Sequence, residues 1–375
     1  MRVVSCLTYY RPYISGLAVY GQRLAEGLAR KGAESEVLCF MHRSDLKTEE
    51  ESGGVKIVRA KPWFKISKGF ISPDWVRKMI KAVSRADTVV VHWPGPEGVS
   101  AVLWARILGK KVISIYHCQV QLPDGIVRKR LERLLNISER MGLGLSQTVV
   151  NSSQDYAINS PVLAGMMAKI KYIYPPVEIP GENKAVRNRI HKMLGRHRPV
   201  IGFAGRLAAE KGVEYLLEAI AYLKTELKDI RVVICGPQET AGESEYRRKI
   251  ASLVRNLRKE VVFIGQIPDG CMGSFYKFLD VLVLPSVNST EAFGMVQAEA
   301  MMSGVPVVTS DLPGVRVPVT KTGMGRLAKP GDAGELARAI SEILRNRKKY
   351  VRTQKALEEF DMNKSMDAFA EIAEL

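Results

Sequence analysis

The sequence is poor in cysteine. Its 375 residues hold five, Cys6, Cys39, Cys118, Cys235 and Cys271, and no two stand as a C-x-x-C pair. This spacing offers neither a structural zinc site nor a disulfide framework, and an odd set of scattered cysteines fits a reducing compartment. No run approaches the ~18 consecutive apolar residues that a membrane span requires. Met1–Thr8 enters a strand-like stretch directly, so no signal peptide is expected and the location is read as cytoplasmic. Low-complexity segments and repeats of about 20–50 residues are also missing. Gly142-Leu-Gly144 lacks a third glycine and follows a helix-like stretch, which argues against a dinucleotide dehydrogenase.

Acidic side chains are scarce in the first half. Residues 1–200 carry 32 Lys and Arg against 16 Asp and Glu, a net +16, whereas residues 201–375 carry 24 against 23, a net +1. The first half should therefore face something anionic: a membrane surface, a nucleic acid or a phosphorylated substrate. The alternative is a generally basic, solvated surface. With 46% hydrophobic and 25% charged residues, the chain has the ordinary globular mix and enough apolar material for two cores.

Short β-branched runs alternate with longer amphipathic ones. Strands are expected at 2–7, 36–40, 55–60, 88–92, 111–116, 147–151 and 170–174, then at 200–204, 231–235, 261–264, 281–284 and 305–310. Helices fall between most of them, at 17–30, 99–108 and 126–141 in the first half, and at 213–227, 244–256, 293–303 and 333–345 in the second. Apolar strands alternating with helices imply parallel sheets covered on both faces. Three prolines and a glycine in Tyr174–Asn183 break both periods, and a basic helix-like piece, Lys184–His197, follows. The expected domains are 1–180 and 181–357, with a terminal helix at 358–375 packing back on the first. Ligands of such sheets bind outside the carboxyl ends of strands, so the cleft between two such domains is the expected site.

Two stretches carry chemistry. In Gly202-Phe-Ala-Gly-Arg-Leu-Ala-Ala-Glu-Lys-Gly212 a strand ends and a helix opens. Arg206 can fork two phosphate oxygens and Lys211 can add a point charge, or both are surface charges near a helix start. In Ser286–Gly304 a polar loop carries Glu291, and a helix carries Glu299 eight residues on. At 1.5 Å per residue the two carboxylates stand about 12 Å apart along the axis, too far for a glycosidase pair but suited to two grips on one extended ligand. Phe293, Gly294 and Met295 offer first-turn N–H donors.

These stretches, with Glu299-Ala-Met-x-x-Gly-x-Pro-Val-Val308, closely resemble the retaining GT-B glycosyltransferases of family 4 (group 1). The second half matches specifically and the first half in layout. The resemblance implies an α/β GT-B fold, two Rossmann-like parallel-sheet domains facing a central cleft, and transfer of a sugar from a UDP- or GDP-linked donor to a hydroxyl acceptor. It places Arg206 and Lys211 on the donor diphosphate, Glu291 near the donor sugar and Glu299 on the ribose hydroxyls. Gly294 and Met295 fall where backbone amides meet sugar or phosphate, Gln266 and Ile267 where the nucleobase lies, and Gly236 beside them. Gly16 serves the diphosphate from the first domain, where Ser15 replaces one glycine of the usual pair, and His117 resembles the histidine that touches the donor sugar. Neither a metal nor a cofactor is implied. No Asp or Glu stands as a nucleophile by motif, so a same-face mechanism assisted by the leaving phosphate is expected.

The basic half adds a helix at 72–85, with Ser72 as N-cap and Pro73 at its first position, an apolar face of Trp75, Val76, Met79, Ile80 and Val83, and a cationic face of Arg77, Lys78, Lys81 and Arg85. Packing of that apolar face on the sheet is the favoured reading. Lys61–Lys68 and Val127–Arg133 are further basic segments. With the +16 charge they suggest a peripheral enzyme at an anionic inner membrane face, acting on a lipid-linked, glycan or phosphorylated acceptor. The alternatives are a sugar-nucleotide epimerase or phosphorylase of the same architecture, or a basic nucleic-acid binder. No nucleic-acid motif is present, and no nucleic-acid partner is expected.

Overall fold

The computed structural model describes every residue except 67–68, 122–124, 196, 228, 239–242, 269 and 353; the end of the basic segment Lys61–Lys68 therefore lies outside the described residues. The chain forms two compact units, Met1–Pro176 with Met362–Leu375, and Val177–Asp361.

The first unit contains β1 (Arg2–Cys6), β2 (Glu34–Phe40), β3 (Glu49–Ser52), β4 (Val55–Ala60), β5 (Phe64–Ile66), β6 (Gly69–Ile71), β7 (Thr88–Trp93), β8 (Lys111–Tyr116), β9 (Thr148–Asn151) and β10 (Ile170–Tyr172). Eight of these make one sheet in the order β10-β9-β8-β7-β1-β2-β4-β3, and β5 and β6 form a separate antiparallel hairpin. The sheet pairs are parallel except β3 on β4. Central strands are buried along most of their length because helices cover both faces; every residue of β7 is buried. The helices are α1 (Gly16–Arg30), α2 (Pro73–Arg85), α3 (Glu97–Ile107), α4 (Ile126–Leu145) and α5 (Gln154–Asn159), joined by the terminal helix Met362–Ala373. That helix packs on α1 at Gly27, where a Cβ would stand 2.0 Å from Met366 Sδ.

Helix α2 starts as its sequence dictates: Ser72 Oγ accepts the Trp75 N–H at 3.0 Å and Pro73 opens the helix. Its apolar face packs on the sheet, with Trp75 stacked on Phe40 at 4.6 Å, while Val76 stays exposed.

The second unit contains β11 (Val200–Ala204), β12 (Arg231–Cys235), β13 (Val261–Gly265), β14 (Val281–Leu284), β15 (Val307–Ser310) and β16 (Gly325–Ala328), all parallel, in the order β13-β12-β11-β14-β15-β16. Its helices are α6 (Lys184–Leu194), α7 (Val213–Leu223), α8 (Ser244–Arg255), α9 (Gly273–Tyr276), α10 (Met295–Met302), α11 (Val317–Thr322) and α12 (Ala333–Arg345). The core joins α7 and α12 to the sheet through Leu216, Ile220, Val232, Val283 and Ile340.

Several expected boundaries are corrected. The stretch 293–303 becomes helical only at Met295, because Gly294 sits at φ 74°. The strand expected from Val305 begins at Val307, after Pro306. The terminal stretch 358–375 is not one helix: a 3₁₀ segment, Gln354–Phe360, is followed by Met362–Ala373, and Asp361 between them bridges Val177. The basic piece 184–197 stops at Leu194, where Gly195 turns at φ 63°. Sequence reading missed β3, β5, β6 and β16. β3 is Glu-Glu-Glu-Ser, whose residues favour strands little, and it lies at the sheet edge.

Candidate functional site

Numbered within the second unit, its strands run 3-2-1-4-5-6, the order that reverses direction between β11 and β14 and opens a crevice at their carboxyl ends. Two loops meet there, one after each strand. Val287 N–H donates to the Glu210 carbonyl at 3.0 Å. Gly212 takes φ 61°, and a Cβ on it would stand 2.2 Å from the Pro285 carbonyl oxygen, so only glycine allows this approach. The Lys211 ammonium pairs with Glu291 Oε2, and both side chains are largely shielded. Arg206 Nη2 reaches Glu210 Oε1 at 3.1 Å. The structure therefore brings Arg206, Lys211 and Glu291 onto one pair of loops. It also adds Glu210, which sequence reading left out although its i,i+4 spacing from Arg206 was visible.

The neighbouring strand ends are laced together through backbone. Gly205 N–H donates to the Cys235 carbonyl at 2.9 Å, and Gly236 N–H donates to the Gly265 carbonyl at 3.0 Å. A Cβ on Gly236 would stand 2.1 Å from the Gly205 oxygen, so close backbone approach alone accounts for that glycine. Beyond β13, at the sheet edge, Gln266 is exposed and Ile267 buried. From β13 to β14 is three strand spacings, about 14 Å at the usual separation, which suits an elongated guest.

Glu291 lies in the turn before α10. Gly294 caps that helix in the left-handed region, where a Cβ would meet Leu284 Cδ2 at 2.4 Å. Among the described residues, no side chain caps the α10 N-terminus, which starts at Met295. Phe293 is buried beside Phe360, and its carbonyl accepts from Gln297 Nε2. Glu299, in the second turn, is 6% exposed, and the Tyr276 hydroxyl donates to its Oε2 at 2.9 Å. A carboxylate at this depth needs such donors. Tyr276, 23 residues away on α9, carried no signal in the sequence.

The first unit repeats the strand order: with edge strand β3 set aside, it reverses between β1 and β7. Gly16 opens α1 after β1, and a Cβ there would meet nothing within 4 Å. Ser15, standing where the resemblance leads one to expect a glycine, is the N-cap: its hydroxyl accepts the Ala18 N–H at 3.2 Å. His117 follows β8, and its Nε2 lies 2.9 Å from His92 Nδ1. Tyr20 of α1 sets its ring edge-on to His117 at 4.6 Å. Burial pushes His92 down to about 3 and, with His92 beside it, holds His117 well below the usual imidazole range, so both rings are neutral at physiological pH.

Among the described residues, no three His, Cys, Asp or Glu gather as candidate metal ligands, and no helix is long and apolar enough to cross a membrane.

The family described as glycosyl transferases group 1 matches residues 187–360, and Glycosyltransferase Family 4 matches residues 14–179. A phosphatidyl-myo-inositol mannosyltransferase of Mycobacterium leprae is 32% identical over 279 residues, covering 71% of this chain and 67% of that protein. The chain belongs to glycosyltransferase family 4, group 1. A 2-deoxystreptamine glucosyltransferase of Streptomyces kanamyceticus is 27% identical over 346 residues, 86% of this chain and 88% of that one. Among solved structures, Anabaena HepE in complex with UDP-glucose superposes with a TM-score of 0.79 at 19% identity over the whole of both chains. Sucrose-phosphate synthase from Thermosynechococcus elongatus gives 0.79 at 20% identity, over 100% of this chain and 98% of that one. The expected family and the GT-B class, two α/β domains with parallel sheets, are thus borne out, and the protein is a glycosyltransferase.

Proposed function

We propose that this glycosyltransferase is a retaining, metal-independent hexosyltransferase that takes its sugar from a UDP- or GDP-linked donor held at the carboxyl end of the second unit's sheet. The observation that carries the reading is the meeting of Arg206, Lys211 and Glu291 at the β11/β14 strand reversal. Lys211 has three N–H donors, so it can keep Glu291 in place and still meet a phosphate oxygen. Arg206 and Lys211 would offset the charge that grows on the departing diphosphate, the role a metal plays elsewhere. Glu299 would accept the ribose hydroxyls, Gln266 and Ile267 would flank the base, and Phe293, Gly294 and Met295 would offer backbone amides to the sugar or phosphate. The resemblance would add Gly16, Gly236 and His117 to the donor contacts.

In the proposed step, the bond from the sugar's anomeric carbon to phosphate oxygen breaks and its electron pair leaves with the diphosphate. The acceptor oxygen bonds to the same face, and its proton passes to the leaving phosphate. Similar proteins carry the names 2-deoxystreptamine glucosyltransferase, phosphatidyl-myo-inositol mannosyltransferase and D-inositol 3-phosphate glycosyltransferase. These names favour a ring polyol as acceptor, free, phosphorylated or lipid-linked.

The test is nucleotide release from UDP-glucose, UDP-N-acetylglucosamine and GDP-mannose with and without EDTA, followed by proton NMR of the product's anomeric configuration. Turnover in EDTA with retained configuration supports the reading; inversion or loss of turnover in EDTA contradicts it.

A specific surface supports placement at an anionic membrane face. On α4, Leu134, Ile137, Met141 and Leu145 recur at helical spacing and all are exposed, Leu134 at 64% and Ile137 at 62%. Arg128, Lys129, Arg130, Arg133 and Arg140 on the same helix are exposed too, while its Glu139 is buried inward. An apolar stripe set among cations fits an anionic lipid surface. Flotation with phosphatidylserine vesicles should capture the protein at low salt, and the Leu134→Asp/Ile137→Asp variant should stay behind. Equal recovery of both, or concentration-dependent dimerisation through this stripe, overturns this placement.

A further inference from the structure

His92 and His117 come from adjacent parallel strands. His92 lies near the end of β7 and pairs in register with Ile115 of β8, while His117 follows β8 and donates its backbone N–H to the Trp93 carbonyl at 3.0 Å. Their rings are inclined by only 11°, yet the Nδ1···Nε2 distance is 2.9 Å. That is shorter than stacked rings allow, roughly 3.5 Å between faces, so the contact lies in the ring planes and is a nitrogen-to-nitrogen hydrogen bond. Both rings are neutral, so one nitrogen must donate and the other accept.

The surroundings decide which. Among the described residues, His92 Nε2 is buried without a hydrogen-bond partner. An orphaned buried N–H is rarer than an under-used acceptor, because its unmet donor carries the full desolvation cost. His92 therefore leaves Nε2 bare and carries its proton on Nδ1, which donates to His117 Nε2. His117 must then carry its own proton on Nδ1. Tyr20 stands edge-on to both rings at 4.6 and 6.1 Å, and a Cβ on Gly21 would stand 2.7 Å from Leu7 Cδ1 and 3.6 Å from His92 Cε1.

We propose that His92 is a positioning residue which fixes the ring plane and tautomer of His117, so that His117 offers an Nδ1–H donor to an oxygen of the transferred sugar. The sugar contact rests on the reading of His117 given above; the tautomer does not. Without His92, the ring would turn and revert to the ordinary Nε2–H form, presenting an acceptor where a donor is needed.

The test begins on the unliganded full chain with 15N-histidine and long-range 1H–15N correlation, assigned with His92→Asn and His117→Gln. His117 should show a protonated Nδ1 and an accepting Nε2. Wild-type His117 protonated at Nε2 overturns the proposal whatever the activity. With the nucleotide sugars named above, His92→Leu should lower kcat about tenfold with donor KM little changed. His92→Asn, whose amide nitrogen stands near the lost Nδ1, should restore most of it. Equal kcat for wild type and His92→Leu, at matched thermal midpoints, also overturns it. If His117→Ala keeps wild-type turnover while the tautomer is as stated, the sugar contact of His117 fails, and with it the effect of His92 on turnover; the tautomer alone stands.

Discussion

Two glycines that look alike in the sequence do different physical work. Gly294 sits at φ 74° with a Cβ position 2.4 Å from Leu284, whereas Gly16 faces open space. Gly294→Ala should lower stability by about 1–2 kcal/mol or more, from left-handed strain plus the clash, read as a shift in the urea midpoint. Gly16→Ala should leave that midpoint unchanged, and if the proposed donor contact of Gly16 holds, the added methyl should weaken donor binding. At Glu299, replacement by alanine removes the partner of the Tyr276 hydroxyl; loss of charge-assisted hydrogen bonds worth about 1.5–3 kcal/mol should weaken nucleoside-diphosphate binding roughly 10–100-fold in calorimetry. Arg206, Lys211, Glu291 and Glu299 were legible because each stands at a fixed offset from a strand end or helix start. Tyr276 and His92 were not, because they arrive from elements 23 and 25 residues away and nothing in a linear pattern marks such a meeting.

At the scale of elements, boundaries followed local chemistry wherever that chemistry was strong. α2 begins where Ser72 and Pro73 say it must, and Ser72 Oγ both accepts from Trp75 and donates to the Lys61 carbonyl at 2.5 Å. Ser72→Ala should cost about 1 kcal/mol, visible as a lower urea midpoint, while Ser72→Thr, whose hydroxyl can still accept and donate, should recover most of the cap. The hidden elements were those that tertiary context supports. β3 is an acidic strand that pairs antiparallel on β4, and Glu50 from it binds the fully buried guanidinium of Arg59 at 2.6 Å. That ion pair explains why a run of glutamates is held in a strand, and no periodicity announces it. The terminal helix was visible as an apolar pattern, but its break at Asp361 depends on the bridge to Val177.

Across the whole molecule, repeated βα alternation was enough to foresee two parallel-sheet units, but not the strand order, which places Arg206 and Glu291 on either side of a reversal. The charge imbalance was equally plain, yet only the structure shows that Glu139 turns inward while the cations of α4 face out. Burial raises Glu139 from its ordinary 4.5 to about 8, so the folded state holds a proton that the unfolded state releases, and stability falls as pH rises between those values. The neutral His92–His117 pair acts oppositely: the unfolded rings, near 6.5, bind protons that the folded ones refuse, so stability is lost as pH falls from about 6.5 toward 3. Glu139→Gln should flatten the decline in urea midpoint between pH 6.5 and 8, and His92→Asn should flatten the rise between pH 4 and 6.5. The central claim is that the strand reversal of the second unit holds the donor diphosphate. Isothermal titration of UDP and GDP into wild type and into Arg206→Ala/Lys211→Ala tests it most directly. One nucleotide should bind the wild type and lose about 100-fold or more in the double variant, two charge-assisted contacts being removed; undiminished binding by a folded double variant would contradict the account.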